Sequence, residues 1–327
     1  MKALFADAAK SLFEIKGGPR VDFAAPAGEP ALAAPDSVSW RVFKNPVALF
    51  VGGVTAVILE LAEPRVRTGV WEHSSFRVDP LTRLKRTGLA AMVTVYGARS
   101  VAETMIAGVG RQHARVAGVT PDGAAYRADD AALLDWVQAT ASFGFLAAYH
   151  GLVAPLSRED RDRFYAEAAP AARLYGALGA PASEAAWEAQ LAAMLPRLER
   201  SDIVLAFLDL MRAVKIAGPL SRLQHPLIRA AVGRVPEPVR DVLGLEREWL
   251  PRPLELPAIR AAARLADRTP IPGAPPYEAC VRMGLPGTWL YRPTPRAGRK
   301  VHTAPVFPLR GRRAAGPEGA SDPDQGD

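Results

Sequence analysis

Helix-start signals recur along this chain with little that competes with them, and no other feature constrains the fold as much. Asp79-Pro80 pairs an N-cap carboxylate with a proline at the first helical position. Ser100-Val-Ala-Glu103 has the spacing of a capping box, in which hydroxyl and carboxylate satisfy each other's free backbone N–H groups. Asp129-Asp130 opens a helix that runs to about Tyr149, and Ser157-Arg-Glu-Asp160, Ser183-Glu184 and Ser201-Asp202 open three more. No segment alternates apolar and polar residues over strand lengths, and no βαβ rhythm appears. The one hairpin-like spot is Thr120-Pro-Asp-Gly123, whose turn residues can close a short ribbon ending near Tyr126. The expectation is an all-α fold, a single multi-helix domain of roughly six to ten helices plus one short β-ribbon. No internal repeat is present.

Around this domain the composition changes. Residues 1–16 can form a short amphipathic helix, and 17–36 are rich in Gly, Pro and Ala, as in an irregular arm. Residues 293–327 are rich in Pro, Gly, Arg and Asp and read as a disordered tail. The organisation expected is therefore 1–36 helix and arm, 37–292 helical domain, 293–327 tail. A single cysteine, Cys280, excludes a disulfide framework and any Cys-rich zinc or iron–sulfur site. The net charge of +7 is spread along the chain and no basic face is interleaved with aromatics, so no nucleic-acid partner is expected. Asp7 and Lys10 interrupt the apolar N-terminus, which lacks the features of a secretory signal; a cytoplasmic location is expected. The longest uncharged segment, 136–157, contains Gln138, Thr140, Ser142 and His150. It reads as a buried helix plus loop, without stable membrane insertion. No feature of the sequence sets an oligomeric state.

A few polar residues stand in apolar helical surroundings. Ala102, Ile106, Val109, His113 and Val116 follow one another at three- and four-residue steps, which puts His113 on an otherwise apolar face. Such an imidazole is either a haem ligand or a core histidine bonded to a carbonyl. Arg83 and Thr87 are four apart and share a face of the helix begun at Asp79-Pro80. They are either pocket residues or a surface arginine with a neutral neighbour. His73 is either a ligand candidate or a histidine joining two helices. His150, near a helix end, reads as structural; His225, before Pro226, as a loop residue; and His302 falls in the tail. Glu60 and Glu63 could support a pocket arginine but fit a solvated helix face. There is no HExxH, GxSxG, P-loop or ExxH, and Gly108-Val-Gly110 lacks the third glycine of a dinucleotide fingerprint.

Several strings resemble one family in order and spacing: GG at 52–53, LELAEP at 59–64, HSSF at 73–76, DPLTRLKRT at 79–87, HARVAG at 113–118, Tyr126 with ADDAALLDWVQAT at 128–140, and VPEPVRDVLGL at 235–245. Together they resemble the catalytic domain of the mpaB / rubber oxygenase family over roughly residues 40–250. The best-known member is the latex clearing protein, a b-type haem enzyme that cleaves polyisoprene with dioxygen, and a fungal member cleaves a prenyl side chain. The resemblance implies haem b in a buried pocket, with His113 as the axial iron ligand. It implies Arg83 and Thr87 as catalytic residues, with Arg83, Arg86 and His73 also binding the cofactor. It implies dioxygen and a small apolar, prenyl- or terpenoid-like substrate as partners. Two alternatives stay open: a haem-binding sensor or carrier without turnover, and a helical binding protein that has lost haem. Arg86 departs from the latex clearing protein pattern, which has a lysine there that can close the sixth iron position. An arginine cannot. Gln138 stands where family members often carry histidine.

Overall fold

The computed structural model describes residues 20–214 and 223–292. The expected helix over 1–16, the tail at 293–327 and His302 lie outside the described residues. Among the described residues there are 13 α-helices and one two-stranded antiparallel ribbon. In chain order they are α1 (Val38–Phe43), α2 (Pro46–Ala62), α3 (Pro64–His73), α4 (Pro80–Tyr96), α5 (Arg99–His113), β1 (Ala117–Val119), β2 (Ala125–Arg127), α6 (Ala131–Leu152), α7 (Arg158–Leu174), α8 (Glu184–Met194), α9 (Asp202–Ala213), α10 (Gln224–Val232), α11 (Glu237–Leu243), α12 (Glu255–Asp267) and α13 (Pro275–Arg282). The all-α expectation and the ribbon after Thr120 both hold. The helix count exceeds six to ten because α1, α11 and α13 have only 6, 7 and 8 residues, too short for a periodic pattern to register.

The core is organised by α2 and α6, which lie side by side. Two glycines set how close they come. A Cβ on Gly52 would sit 2.7 Å from Phe145 Cα, and one on Gly144 would sit 2.4 Å from Gly52 O. Around this contact Ile58, Leu59 and Leu152 are sealed from solvent. Burying each such side chain contributes roughly 1.5–3 kcal/mol. At the start of α2, the buried Asn45 side chain caps the helix through Val47 and Ala48 N–H, and its Nδ2 donates to Ala263 O of α12 at 2.9 Å. By length and composition α6 could cross a membrane, but half of its apolar window is buried inside this domain.

Local caps then aim the elements. Asp79 Oδ1 accepts Thr82 N–H at 3.0 Å and Pro80 takes the first helical position, as the sequence predicts. Asp130, Ser157, Ser183 and Ser201 all cap their helices. At the α2–α3 junction the axis bends by 111°. Glu63 holds the bend: its carboxylate accepts Val66 N–H at 2.8 Å and pairs with Arg65 at 2.7 Å. It is 2% exposed, not solvated.

Two local expectations fail. The capping box at Ser100 does not form; α5 starts at Arg99, and the carboxylate comes from the N-terminal arm. Glu29 accepts Ser100 N–H at 2.6 Å and its hydroxyl at 3.0 Å. The described arm, 20–36, is held against α13 as well, where buried Arg282 donates to Phe23 O and Glu29 O at 2.7 and 2.9 Å. His225 lies in the first turn of α10, not in a loop, because a proline is accommodated at the start of a helix. His150 is structural as expected: its Nδ1 accepts Leu156 N–H at 2.9 Å.

Candidate functional site

Between α2, α3, α4, α5, α6 and α7 lies a cavity of about 650 Å³ with a mainly apolar wall. Each helix turns one stripe toward it. From α2 come Gly53, Ala56, Val57 and Glu60; from α6 come Val137, Gln138, Ala141 and Phe145. From α4 come Arg83, Arg86, Thr87, Ala90, Ala91 and Thr94, all set in phase by the Asp79 cap. The stripe read from the sequence on α5 is the one that faces inward. Ala102 and Ile106 pack in the core, while Val109, His113 and Val116 reach the cavity wall. The structure thus brings His73, Arg83, Arg86, Thr87 and His113 to one cavity.

Their environments differ. His113 ends α5 and is half-buried. Burial, and secondly the positive charge of Arg83, hold its imidazole below the ordinary histidine range, with Asp129 opposing. The shift favours the neutral imidazole, in which one ring nitrogen keeps a lone pair. The Arg83 guanidinium donates to the Thr87 hydroxyl, and that hydroxyl donates to Arg83 O at 3.1 Å. Thr87 so fixes the arginine instead of presenting its own proton to the cavity. Phe76 flanks the guanidinium at 5.9 Å from its ring centre. Arg86 is exposed at the cavity wall. His73, the last residue of α3, is exposed, with its ring edge-on to Tyr126 at 6.4 Å.

The ribbon supplies the remaining wall. Gly118 on β1 pairs with Tyr126 on β2, and the phenol lies across the bare Cα; a Cβ there would be 2.6 Å from Tyr126 Oη. That oxygen is buried and has no hydrogen-bond partner among the described residues. Gln138 lines the wall with its Nε2 3.4 Å from Ser142 Oγ.

Glu60, like Glu63, departs from the solvated helix face that its sequence position fitted. It is half-buried and lines the cavity. Its carboxylate opens onto the cavity and accepts no hydrogen bond among the described residues. Burial pushes it up to about 7, partly countered by Arg83. The signal was present in its spacing: Gly53, Ala56, Val57 and Glu60 occupy steps i, i+3, i+4 and i+7.

Among the described residues no group of three or more His, Cys, Asp and Glu side chains could hold a metal ion by itself. What the wall offers is the imidazoles of His113 and His73, cationic side chains on α4 and a large apolar volume. Searches among curated proteins and among solved structures gave no match. The family described as "ER-bound oxygenase mpaB/B'/Rubber oxygenase, catalytic domain" matches residues 40–268, a span that runs from α1 past the end of α12 and includes all five of these residues. The chain therefore belongs to the mpaB / rubber oxygenase family of oxygenase catalytic domains.

Proposed function

We propose that this domain is a b-type haem-dependent oxygenase acting with dioxygen on an apolar, prenyl- or terpenoid-like substrate. The observation that carries the reading is His113 on the wall of an apolar cavity that also presents Arg83 and Arg86. The residues present fit a haem. The volume lies within the range of cofactor sites, roughly 300–1,000 Å³. The wall would suit a macrocycle, Arg83 and Arg86 its carboxylates, and His113 its iron. When bound, the haem would supply the iron centre for dioxygen and electron-transfer chemistry.

The chain's own residues do the rest. His113 would hold the iron through its unprotonated nitrogen. Arg86 stays protonated and so cannot act as a second ligand. Arg83, braced by Thr87 and Phe76, sets a fixed positive charge on the wall. Glu60, poised near neutrality, can take or give a proton inside the cavity. The aliphatic stripes of α2, α4 and α6 would bind an apolar substrate and exclude water.

The test is expression of the full chain with haem precursor. Wild type is expected to purify red with a Soret band, and His113→Ala to lose the band while retaining its helical circular dichroism. Oxygen uptake with terpenoid substrates is expected for wild type and should fall sharply in Arg83→Leu. A colourless wild type that binds no added haem, or full haem retention in His113→Ala, would overturn the assignment.

A further inference from the structure

The central helix α6 has a second cavity on its opposite face. Val137, Gln138, Ala141 and Phe145 face the large cavity, whereas Phe143, Leu146, Ala147 and His150 face one of about 200 Å³. Besides α6, this second wall comes from α7, α8 and the Gly233-Arg234 turn after α10. We propose that it is a binding site for a small oxyanion of the phosphate or carboxylate class.

Charge and hydrogen-bond accounting carry the proposal. Arg161 is already satisfied: its Nε lies 2.9 Å from both Glu184 oxygens and its Nη1 donates to Leu156 O at 2.9 Å. Arg234 is not. Its guanidinium makes no ion pair or hydrogen bond among the described residues, and its Nε is buried without a partner. Arg260 lies close enough to add to the positive charge there. Two guanidiniums and one carboxylate line the cavity; Arg260 stands near Arg234, and Asp162 and Glu188 stand near Tyr165, so the unpaired Arg234 rather than net charge marks the site. A guanidinium whose Nε is buried and unpaired is costly, and an oxyanion offsets the cost with two parallel hydrogen bonds.

Further donors face the same space. His150 Nδ1 accepts Leu156 N–H, which leaves Nε2 as the protonated, donating nitrogen. The Tyr165 hydroxyl makes no hydrogen bond among the described residues and Tyr165 lines the cavity. The fold also makes room for the arginine: a Cβ on Gly151 would fall 2.1 Å from Arg234 Nη1. Space for several waters is enough for a phosphate or acetate ion.

The test uses the full chain, exchanged into chloride buffer at constant ionic strength, with inorganic phosphate and acetate titrated separately. A saturating rise in melting temperature is expected with at least one of them, and which one responds identifies the preferred oxyanion. Arg234→Gln should weaken that response at least tenfold. Gly151→Ala, which keeps every charge but displaces the guanidinium, should weaken it too. A site-resolved readout needs no variant: phenylglyoxal labelling of Arg234, mapped by peptide mass spectrometry, should slow in phosphate or acetate. No response in wild type, an unchanged response in Arg234→Gln, or Arg234 labelling indifferent to both anions would overturn the site. None of these readouts depends on haem.

Discussion

Gly144→Ala tests whether a bare backbone contact sets the spacing of α2 and α6. In a helix, alanine is favoured over glycine by about 1 kcal/mol, so propensity alone predicts stabilisation. Gly110, exposed on α5 with nothing within 4 Å of a built Cβ, should show that gain, about 0.5–1 kcal/mol. At Gly144 the same methyl meets Gly52 O at 2.4 Å, Ala56 N at 3.0 Å and Ala56 Cβ at 3.2 Å. None of these is the end of a flexible side chain, so the helices themselves must part. Overpacking a core costs about 1–3 kcal/mol, and backbone atoms put this case toward the top. After subtracting the propensity gain, a net loss of about 1–2 kcal/mol remains. For a domain of this size each kcal/mol moves the melting temperature by about 2–4 °C. Thermal unfolding followed by circular dichroism should therefore fall by roughly 2–8 °C in Gly144→Ala and rise by roughly 1–4 °C in Gly110→Ala. If Gly144→Ala melts at or above wild type, the tight crossing is wrong.

Glu60→Gln should gain stability relative to wild type as pH rises from 5 to 8. A carboxyl raised to about 7 in the fold binds its proton more tightly there than in the unfolded chain, so wild type loses stability between about 4.5 and 7, by at most about 3 kcal/mol. Melting temperatures of the two proteins across that range decide it, and parallel curves would place Glu60 in water. Glu29→Ala should speed amide exchange at Ser100 and Val101 and lower the melting temperature, because α5 loses the carboxylate that caps it. In haem-loaded protein the ferric spectrum should lack a His/Lys six-coordinate low-spin signature, since Arg86 cannot ligate iron. Magnetic circular dichroism would detect a lysine, and finding one would refute the reading.

The parts of this fold that were legible in the sequence are those governed by local chemistry. Asp79-Pro80, Asp130, Ser157, Ser183 and Ser201 cap as written because a cap needs only its own N-terminal turn. The His113 stripe was legible because it is periodic. Ser100 shows where locality ends. Glu103 has the spacing to reach back, yet Glu29, 71 residues away, takes the N–H because the arm is pinned by Arg282. Likewise the GG pair at 52–53 carries no sign of which glycine matters. Gly52 meets Gly144 across the helix crossing, whereas a Cβ on Gly53 would have only Phe145 Cε1 at 3.9 Å.

Glu60 shows the same limit at the site. A carboxylate closing an apolar stripe marks the place where the stripe meets something polar or empty. In most helices that is solvent, which is why a solvated face was the natural expectation. Here α4, α5 and α6 stand around the end of the stripe and enclose a cavity, so the same spacing delivers the carboxylate inward. The difference lies in how six helices pack, which no window along α2 contains. Its consequence is chemical. A solvated glutamate would finish most of its ionisation below neutral pH, whereas one raised to about 7 beside Arg83 changes charge around neutrality. The residue least conspicuous in the sequence is thus the titratable group best matched to proton transfer in the cavity.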